Sequence, residues 1–300
     1  MTEPSETEMR RALLAGLSGY LIWGISPLYF QLVSFAGAIE IVGHRVVWSL
    51  PLLFGALWFA GKRRQAFAAL EDKRVLFTLL ATAFLISINW IVFVYAVNTD
   101  RILHASLGYY INPLMSVAVG VVVLREPLGP WRIAAILLAT LGVLNLVISV
   151  GELPWISLAL AFSFTGYGYL RKVAAVDGRI GLFWETAFVL PFALIALIWL
   201  QMHGEGHFLE SPVEAGLLIL AGVITIVPLL LYIIGARGLR LSTMGLLQFT
   251  APTLQFSIGL LRGEPFTTAY MVTFGLIWAG VACFAWSQLR RDRLAVATKA

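Results

Sequence analysis

The chain alternates long runs of apolar residues with short polar segments, and this pattern predicts its helices. A helix needs about 20 mostly apolar residues to cross a bilayer, because each residue advances it by about 1.5 Å. Ten runs have about this length, and only short polar segments separate most of them. The predicted membrane-spanning helices cover residues 11–33, 40–60, 75–97, 103–124, 130–149, 153–171, 180–201, 214–236, 242–262 and 267–288.

Composition agrees with this pattern. Of the 300 residues, 60% are hydrophobic and 12% are charged, whereas a soluble domain carries about 25% charged residues. The first apolar run is longer than the core of a signal peptide and lacks a small-residue cleavage site, so we expect it to be retained as a helix. The net charge of +5 comes from short basic clusters between apolar runs. It therefore does not indicate a nucleic-acid-binding face.

The distribution of lysine and arginine predicts the orientation of the chain. With ten spans, eighteen of the 21 basic residues fall on one side of the membrane, only Arg101 and Arg262 fall on the other, and Arg45 lies within a span. Short cytoplasmic loops are enriched in lysine and arginine. Both termini are therefore predicted to be cytoplasmic, in tails at residues 1–10 and 289–300.

The two halves of the chain resemble each other at an offset close to 140 residues. The matching positions include Arg45 and Pro51 with Glu185 and Pro191, Asn112-Pro113 with Ala251-Pro252, and Gly120 with Gly259. Each half, 11–149 and 150–288, has five predicted spans, and an odd number forces the second copy to enter from the other side. The predicted fold is thus an all-α membrane protein with two inverted five-helix repeats.

Inverted repeats are a frequent plan in secondary transporters, whose binding sites lie near mid-membrane where the repeats meet. Arg45 and Glu185 occupy equivalent positions with opposite charge, and a charge within the hydrocarbon should face protein or water. Two interpretations remain open: they anchor or gate a central cavity, or they pair with neighbours and hold helices together. His44, one turn after Glu40, is either a titratable coupling group or an interfacial anchor.

Aromatic and amide side chains at mid-span depth are candidates for a substrate cavity, because small-molecule pockets combine apolar walls with a few polar groups. Pro113 and Pro252 each remove a helical N–H and predict bends that either open a cavity or merely curve the helix. The cavity candidates are Trp23, Tyr29, Asn89, Trp90, Tyr95, Tyr109, Asn112, Tyr169, Gln248 and Gln255.

No motif in the sequence indicates catalysis or a cofactor. It lacks a Ser-His-Asp pattern, a phosphate-binding glycine loop and a carboxylate cluster, and Cys283 is its only cysteine. His203 and His207 lie in a polar loop that we interpret as solvated, so no metal is expected. The expected partners are the lipid bilayer and a small-molecule substrate, with no nucleic acid. A coupling proton and a homodimer are left open.

Several segments resemble a known family. GYLIWGISPLYF (19–30), EIVGHRVVWS (40–49), NW (89–90), ASLGYYINPL (105–114), RE (125–126) and STMGLLQFTAPTLQF (242–256) are similar to the RarD branch of the EamA-type transporters, in the drug/metabolite transporter superfamily. The resemblance spans residues 10–290. It implies two inverted EamA repeats, cytoplasmic termini, residence in the bacterial inner membrane and a central cavity.

The resemblance favours an exporter of small amphipathic metabolites or drugs that works by alternating access. Small four-helix relatives couple transport to protons through a glutamate in the first helix, but the first span here has no acidic residue, which leaves Glu185 as the one deep substitute. Two alternatives remain: an enzyme acting on lipid-linked substrates, and a scaffold or lipid-handling protein that does not transport.

Overall fold

The computed structural model describes residues 6–124, 129–151, 153–239, 244 and 247–297, and within these ranges the chain is helical with no β-strand. A helix occupies each of the predicted spans. The helices are α1 Glu6–Leu32, α2 Ala38–Phe59, α3 Arg63–Ala68, α4 Lys73–Asn98, α5 Ile102–Leu124, α6 Pro130–Val150, α7 Trp155–Val173, α8 Gly178–Met202, α9 Pro212–Gly238, α10 Thr250–Leu261 and α11 Thr268–Ala297.

Six helices of the described residues are long and apolar enough to cross a membrane, namely α1, α2, α4, α8, α9 and α11. Large apolar side chains project outward from this bundle: Phe192 is 73% exposed, Ile195 67% and Phe77 68%. A soluble protein rarely exposes so many large apolar side chains together. The outer surface is therefore suited to lipid, and the chain is an integral membrane protein.

The helices differ from the prediction in four places. Helix α1 begins at Glu6 and α11 continues to Ala297. Parts of both predicted tails are therefore helical, because polar residues can extend a helix beyond its apolar run. The short helix α3 was not predicted, because its six residues are too few for a periodic pattern. The ninth predicted span is interrupted: Gln248 and Phe249 form a turn before α10.

Contacts between loops define the two ends of the bundle. At the end where α1 begins, here the amino-terminal end, Lys62 after α2 forms an ion pair with Asp177 before α8 at 2.5 Å. At the opposite end, Asn98 donates to the Ala36 carbonyl at 3.2 Å, and His207 contacts Glu40 at the start of α2. Successive long helices therefore run between the two ends.

The packing brings the amino-terminal segment, α1–α6, against the carboxy-terminal segment, α7–α11. Helix α1 packs against α9 and α10, while α7 packs against α4 and α5. Helix α2 lies against α8 and α9, and α4 also contacts α8. Three further pairs also join the segments, namely α5 with α10, α5 with α11 and α6 with α11. The central apolar core is shared by helices of both segments.

Candidate functional site

Arg45 lies at the centre of a buried layer between α1, α2, α4 and α9. Its side chain is only 7% exposed, and its Nε donates to Thr225 Oγ1 at 2.8 Å. The guanidinium carbon lies 4.7 Å from the ring centre of Trp90 and 5.2 Å from that of Phe30. Cation–π contacts of desolvated groups contribute about 2 kcal/mol, so the aromatic rings partly replace the hydration that Arg45 has lost.

Two tyrosines lie close enough to Arg45 to interact with its charge, Tyr29 from α1 and Tyr109 from α5. The Tyr29 hydroxyl donates to the Leu217 carbonyl of α9 at 2.7 Å. The Tyr109 hydroxyl donates to Asn89 Oδ1 at 3.1 Å. Both hydroxyl protons are thus donated to groups other than Arg45.

Asn89 joins three helices through one side chain. Its Nδ2 donates to the Leu160 carbonyl at 3.2 Å and to Ser163 Oγ at 3.1 Å, both on α7, while its Oδ1 accepts from Tyr109 of α5. It is 2% exposed and its amide is well satisfied. The contacts of Asn89 hold α4, α5 and α7 together beside Arg45.

Glu185 is the second buried charge and belongs to α8. Its side chain is 1% exposed; Oε2 accepts from the Tyr167 hydroxyl at 3.2 Å. Oε1 lies 3.6 Å from Arg171 Nε, and the Thr82 hydroxyl of α4 is a further side-chain neighbour. Unlike Arg45, Glu185 therefore has a protein counter-ion.

The surroundings of these two charges correspond to each other. Arg45 and Glu185 both stand seven residues into their helices, α2 and α8, which start at opposite ends of the bundle. Each lies about 10 Å from its helix start at 1.5 Å per residue. Arg45 is hydrogen-bonded to Thr225 of the carboxy-terminal segment. Thr82 of the amino-terminal segment lies beside Glu185, but its hydroxyl donates to the Leu79 carbonyl. Both charges thus lie where the two segments meet, at different depths.

A cluster of aromatic rings lies nearer the amino-terminal end of α1. The Trp23 ring centre is 5.5 Å from that of Tyr20 and 5.8 Å from that of Tyr232. Gln255 of α10 donates to the Trp23 carbonyl at 3.2 Å, and its own Oε1 is buried without a hydrogen-bond partner in the described part of the chain. Trp23 and Gln255, both predicted for the cavity, are thus in contact.

The two helices that carry the prolines, α5 and α10, contact each other, and α5 also contacts α7. Asn112 Oδ1 accepts from Thr165 of α7 at 2.9 Å. The Pro252 carbonyl accepts from Ser106 of α5 at 2.8 Å. Pro113 lies inside continuous helix α5, whereas Pro252 follows the turn at Gln248 and Phe249, where its missing N–H leaves the Gln248 carbonyl without its helical donor. The helix is thus disturbed at the place where the sequence predicted the second bend, while Phe249 keeps a right-handed helical backbone.

Three predicted residues lie apart from the Arg45 layer. Tyr95 is 37% exposed and contacts Trp155 at 5.7 Å, because it projects from the side of α4 that faces away from Asn89 and Phe93. Tyr169 is half-buried on α7, two residues beyond Tyr167, and Gln248 is half-buried in the turn before α10. The structure does not bring Tyr95 into the buried cluster.

His44 packs one turn inside the opposite end. Its Nδ1 accepts from Trp48 at 3.2 Å, and its ring stacks on Phe208 at 4.7 Å. Glu40 instead accepts from the backbone N–H of His207 at 2.7 Å and contacts His207 Nδ1 at 2.8 Å. The hydrogen bond to Glu40 raises the pKa of His207. The loop 203–211 is therefore attached to α2 by a contact that depends on pH.

Several residues of the site were not predicted. Arg171 appeared to be one of many loop cations, and Thr82, Thr225 and Tyr167 are residue types common in any membrane helix. The appearance of threonine on both matching helices, α4 and α9, was a weak signal. Glu264, which was also not predicted, accepts from the backbone N–H groups of Ile102 and Leu103 at 2.6 and 2.8 Å. It satisfies the start of α5.

Among the described residues, no group of three or more His, Cys, Asp or Glu side chains is placed to hold a metal ion. Around Arg45 and Glu185, the buried polar groups are instead a guanidinium, a carboxylate with its arginine, several hydroxyls and the amide network of Asn89. Such groups can bind and orient a small molecule, and they can exchange hydrogen-bond partners when helices move.

Comparison with known proteins identifies related chains over almost the whole length. The EamA-like transporter family matches residues 10–148. An uncharacterized transporter of Vibrio cholerae is 38% identical over 294 residues, which cover 97% of each chain. The protein RarD of Escherichia coli is 38% identical over 288 residues, covering 95% of this chain and 97% of that one.

The fold also has a counterpart of known structure. A crystal structure superposes with a TM-score of 0.57 at 16% identity, covering 91% of this chain and 96% of that chain. At this identity the similarity concerns the fold alone.

Proposed function

The chain belongs to the RarD type of the EamA-like transporter family and is a membrane transporter, and from this premise we propose that it exports small amphipathic metabolites or drugs by alternating access. The substrate site would lie in the buried layer between the two segments. The family and the relatives' names favour a transporter over an enzyme, and its relatives are bacterial.

Support for two inverted repeats comes from the exchange of helix contacts. If α1, α2, α4, α5 and α6 correspond to α7, α8, α9, α10 and α11, the contact of α1 with α9 should recur between α7 and α4. The contacts of α1 with α10 and of α2 with α9 should recur between α7 and α5 and between α8 and α4. All of these pairs are in contact. A two-fold relation between the segments accounts for them.

The proposed orientation places both termini in the cytoplasm and the protein in the inner membrane. The amino-terminal end of the bundle carries the loop with Lys62 and Arg63, whereas the opposite end carries Arg101 and Arg262. A surplus of lysine and arginine in short loops favours the cytoplasmic side. The opposite end, with Glu40 and His207, would then face outward.

The correspondence of Arg45 with Glu185 is the observation that carries the mechanism. At one depth, contacts from Arg45 and Tyr29 to α9 join the segments. At the other, Glu185 of α8 accepts from Tyr167 of α7 and lies beside Thr82 of α4. Opening toward one end requires one set of contacts to separate while the other holds. Reversing this arrangement exposes the layer to the other end. Glu185 is also the residue that would bind a coupling proton.

Transport in proteoliposomes tests this function. Ligands of the folded state raise the unfolding temperature of the purified protein. Compounds found in this way would be radiolabelled and loaded into proteoliposomes, and their movement across the membrane would be measured. We expect Arg45→Ala and Glu185→Gln to lower the flux while the amount of inserted protein is unchanged. Wild-type flux in both variants would remove the two charges from the mechanism. If no stabilising compound moves, the chain is a scaffold or lipid-handling protein.

A further inference from the structure

The two buried charges differ in how the protein compensates them. Glu185 has Arg171 beside it. Within the described part of the chain, Arg45 has a hydrogen bond to a threonine hydroxyl and two aromatic faces, with two tyrosines nearby. None of the ion pairs formed within the described residues includes Arg45. A buried cation without a counter-ion is costly, by at least about 2.5–3.5 kcal/mol at a helix centre, so its retention suggests that an anion completes the site.

The unused part of the guanidinium indicates the kind of anion. Nε is occupied by Thr225, while Nη1 is buried and has no hydrogen-bond partner. A guanidinium presents its N–H groups as a planar fork that matches the two oxygens of a carboxylate. The single positive charge of the guanidinium is balanced by the single negative charge of a carboxylate. A doubly charged phosphate monoester would leave a net negative charge in a low-dielectric site.

The surroundings of Arg45 indicate the remainder of the molecule. Trp90 and Phe30 face the guanidinium, and the Phe93 ring lies 5.8 Å from Phe30 and also 5.8 Å from Tyr109. These rings form apolar walls suited to a flat hydrophobic body. Building on the proposed transport function, we propose that the substrate is a monocarboxylate with an aromatic body, whose carboxylate binds Arg45 between Trp90 and Phe30.

Access to Arg45 requires the segments to separate. In the present conformation its Nη1 is enclosed, and the contacts Arg45–Thr225 and Tyr29–Leu217 join α2 and α1 to α9. A carboxylate that binds the free edge of the guanidinium would replace the aromatic faces as its main source of stabilisation. Binding would thus be coupled to the movement of α1 and α9.

The test compares compounds that share a skeleton and differ in charge. Phenylacetate, phenylacetamide and phenethylamine, with indoleacetate and indoleacetamide as a second set, would be titrated against the purified protein while its unfolding temperature is followed. We expect the acids to bind at least about tenfold more tightly than the amides and the amine. The preference should disappear in Arg45→Gln, while Arg45→Lys keeps part of it because it keeps the charge without the planar fork.

Equal binding of acid and amide by the wild-type protein would overturn the inference, as would tight binding of the acids by Arg45→Gln, and so would the absence of any acid binding. The wild-type comparison of acid with amide does not depend on a variant that might misfold. Flux of the amine or amides in proteoliposomes without flux of the acids would refute the carboxylate proposal and leave the transport function intact. If compounds of every charge fail to move, the transport function fails too.

Discussion

The hydrogen bond between Arg45 and Thr225 allows the cost of losing one contact between the segments to be worked out. Thr225→Val keeps the shape of the side chain but removes the oxygen that accepts from Arg45 Nε at 2.8 Å. A hydrogen bond to a buried charged group contributes about 1.5–3 kcal/mol. The unfolding temperature changes by about 2–4 °C per kcal/mol in chains slightly shorter than this one. We therefore expect Thr225→Val to lower it by about 3–12 °C.

A double-mutant cycle separates this bond from the other contact of Thr225, which also donates to the Ala221 carbonyl at 2.7 Å. The free energy of unfolding would be measured by denaturant titration in detergent for the wild type, Thr225→Val, Arg45→Met and the double variant. We expect a coupling energy of about 1.5–3 kcal/mol. Thr225→Ser, which keeps the hydroxyl, is the matched control. A coupling below about 0.5 kcal/mol, within the usual error of additivity, would refute the assigned bond.

Three further changes test other contacts through the unfolding temperature. Because Glu40 raises the pKa of His207, their contact stabilises the fold fully below about pH 6.5 and loses this effect as the pH rises through the raised pKa. The substitution His207→Ala should therefore lower the unfolding temperature more at pH 5.5 than at pH 8.5. An equal decrease at both pH values would contradict this. A side chain at Gly222 would meet backbone and Cβ atoms of Trp48 at 2.6 Å, so Gly222→Ala should cost about 1–3 kcal/mol, whereas Gly55→Ala, with open space around it, should not. Glu264→Gln replaces one accepting oxygen at the start of α5 by a donor and should cost about 1.5–3 kcal/mol; an unchanged unfolding temperature would show that Glu264 does not hold that helix start.

The positions of the helices could be predicted because the bilayer imposes a length on each apolar run. Each predicted range contains a helix, and the differences lie at the ends, as in α1 and α11, where polar residues extend a helix beyond the hydrocarbon. The turn before α10 lies just ahead of Pro252, where the sequence predicted a bend. Local chemistry therefore identified where this helix is irregular.

The site was predictable only in part, because charge is visible in a sequence and partners are not. Arg45 and Glu185 stood out as charges within apolar runs. The choice of Thr225, Thr82 and Arg171 as their partners depends on how helices distant in sequence pack. Tyr95 illustrates the same limit, since its depth was foreseen while its side of α4 was not. The helical period places Tyr95 and Asn89 on different sides of α4. Only the packing of α4 showed that the side of Asn89 is the buried one.

The repeat predicted from the sequence underlies the proposed mechanism. Its offset pairs Arg45 with Glu185; Thr225 of the other segment is hydrogen-bonded to Arg45, and Thr82 lies beside Glu185. The two sites nevertheless differ, since Arg171 compensates Glu185 and no described acid compensates Arg45. In the mechanism proposed here, the repeats supply the movement, and the difference between the charges supplies substrate selection.

Alternating access is tested most directly by linking the two segments. A Cβ atom added at Gly19 of α1 would lie 3.6 Å from Leu231 Cβ of α9, within the range of a disulfide. The variant Gly19→Cys, Leu231→Cys, with Cys283 replaced by alanine, would be oxidised in proteoliposomes, and its flux would be measured before and after reduction. The account predicts that oxidation stops transport and that reduction restores it. Undiminished flux through fully cross-linked protein would contradict it.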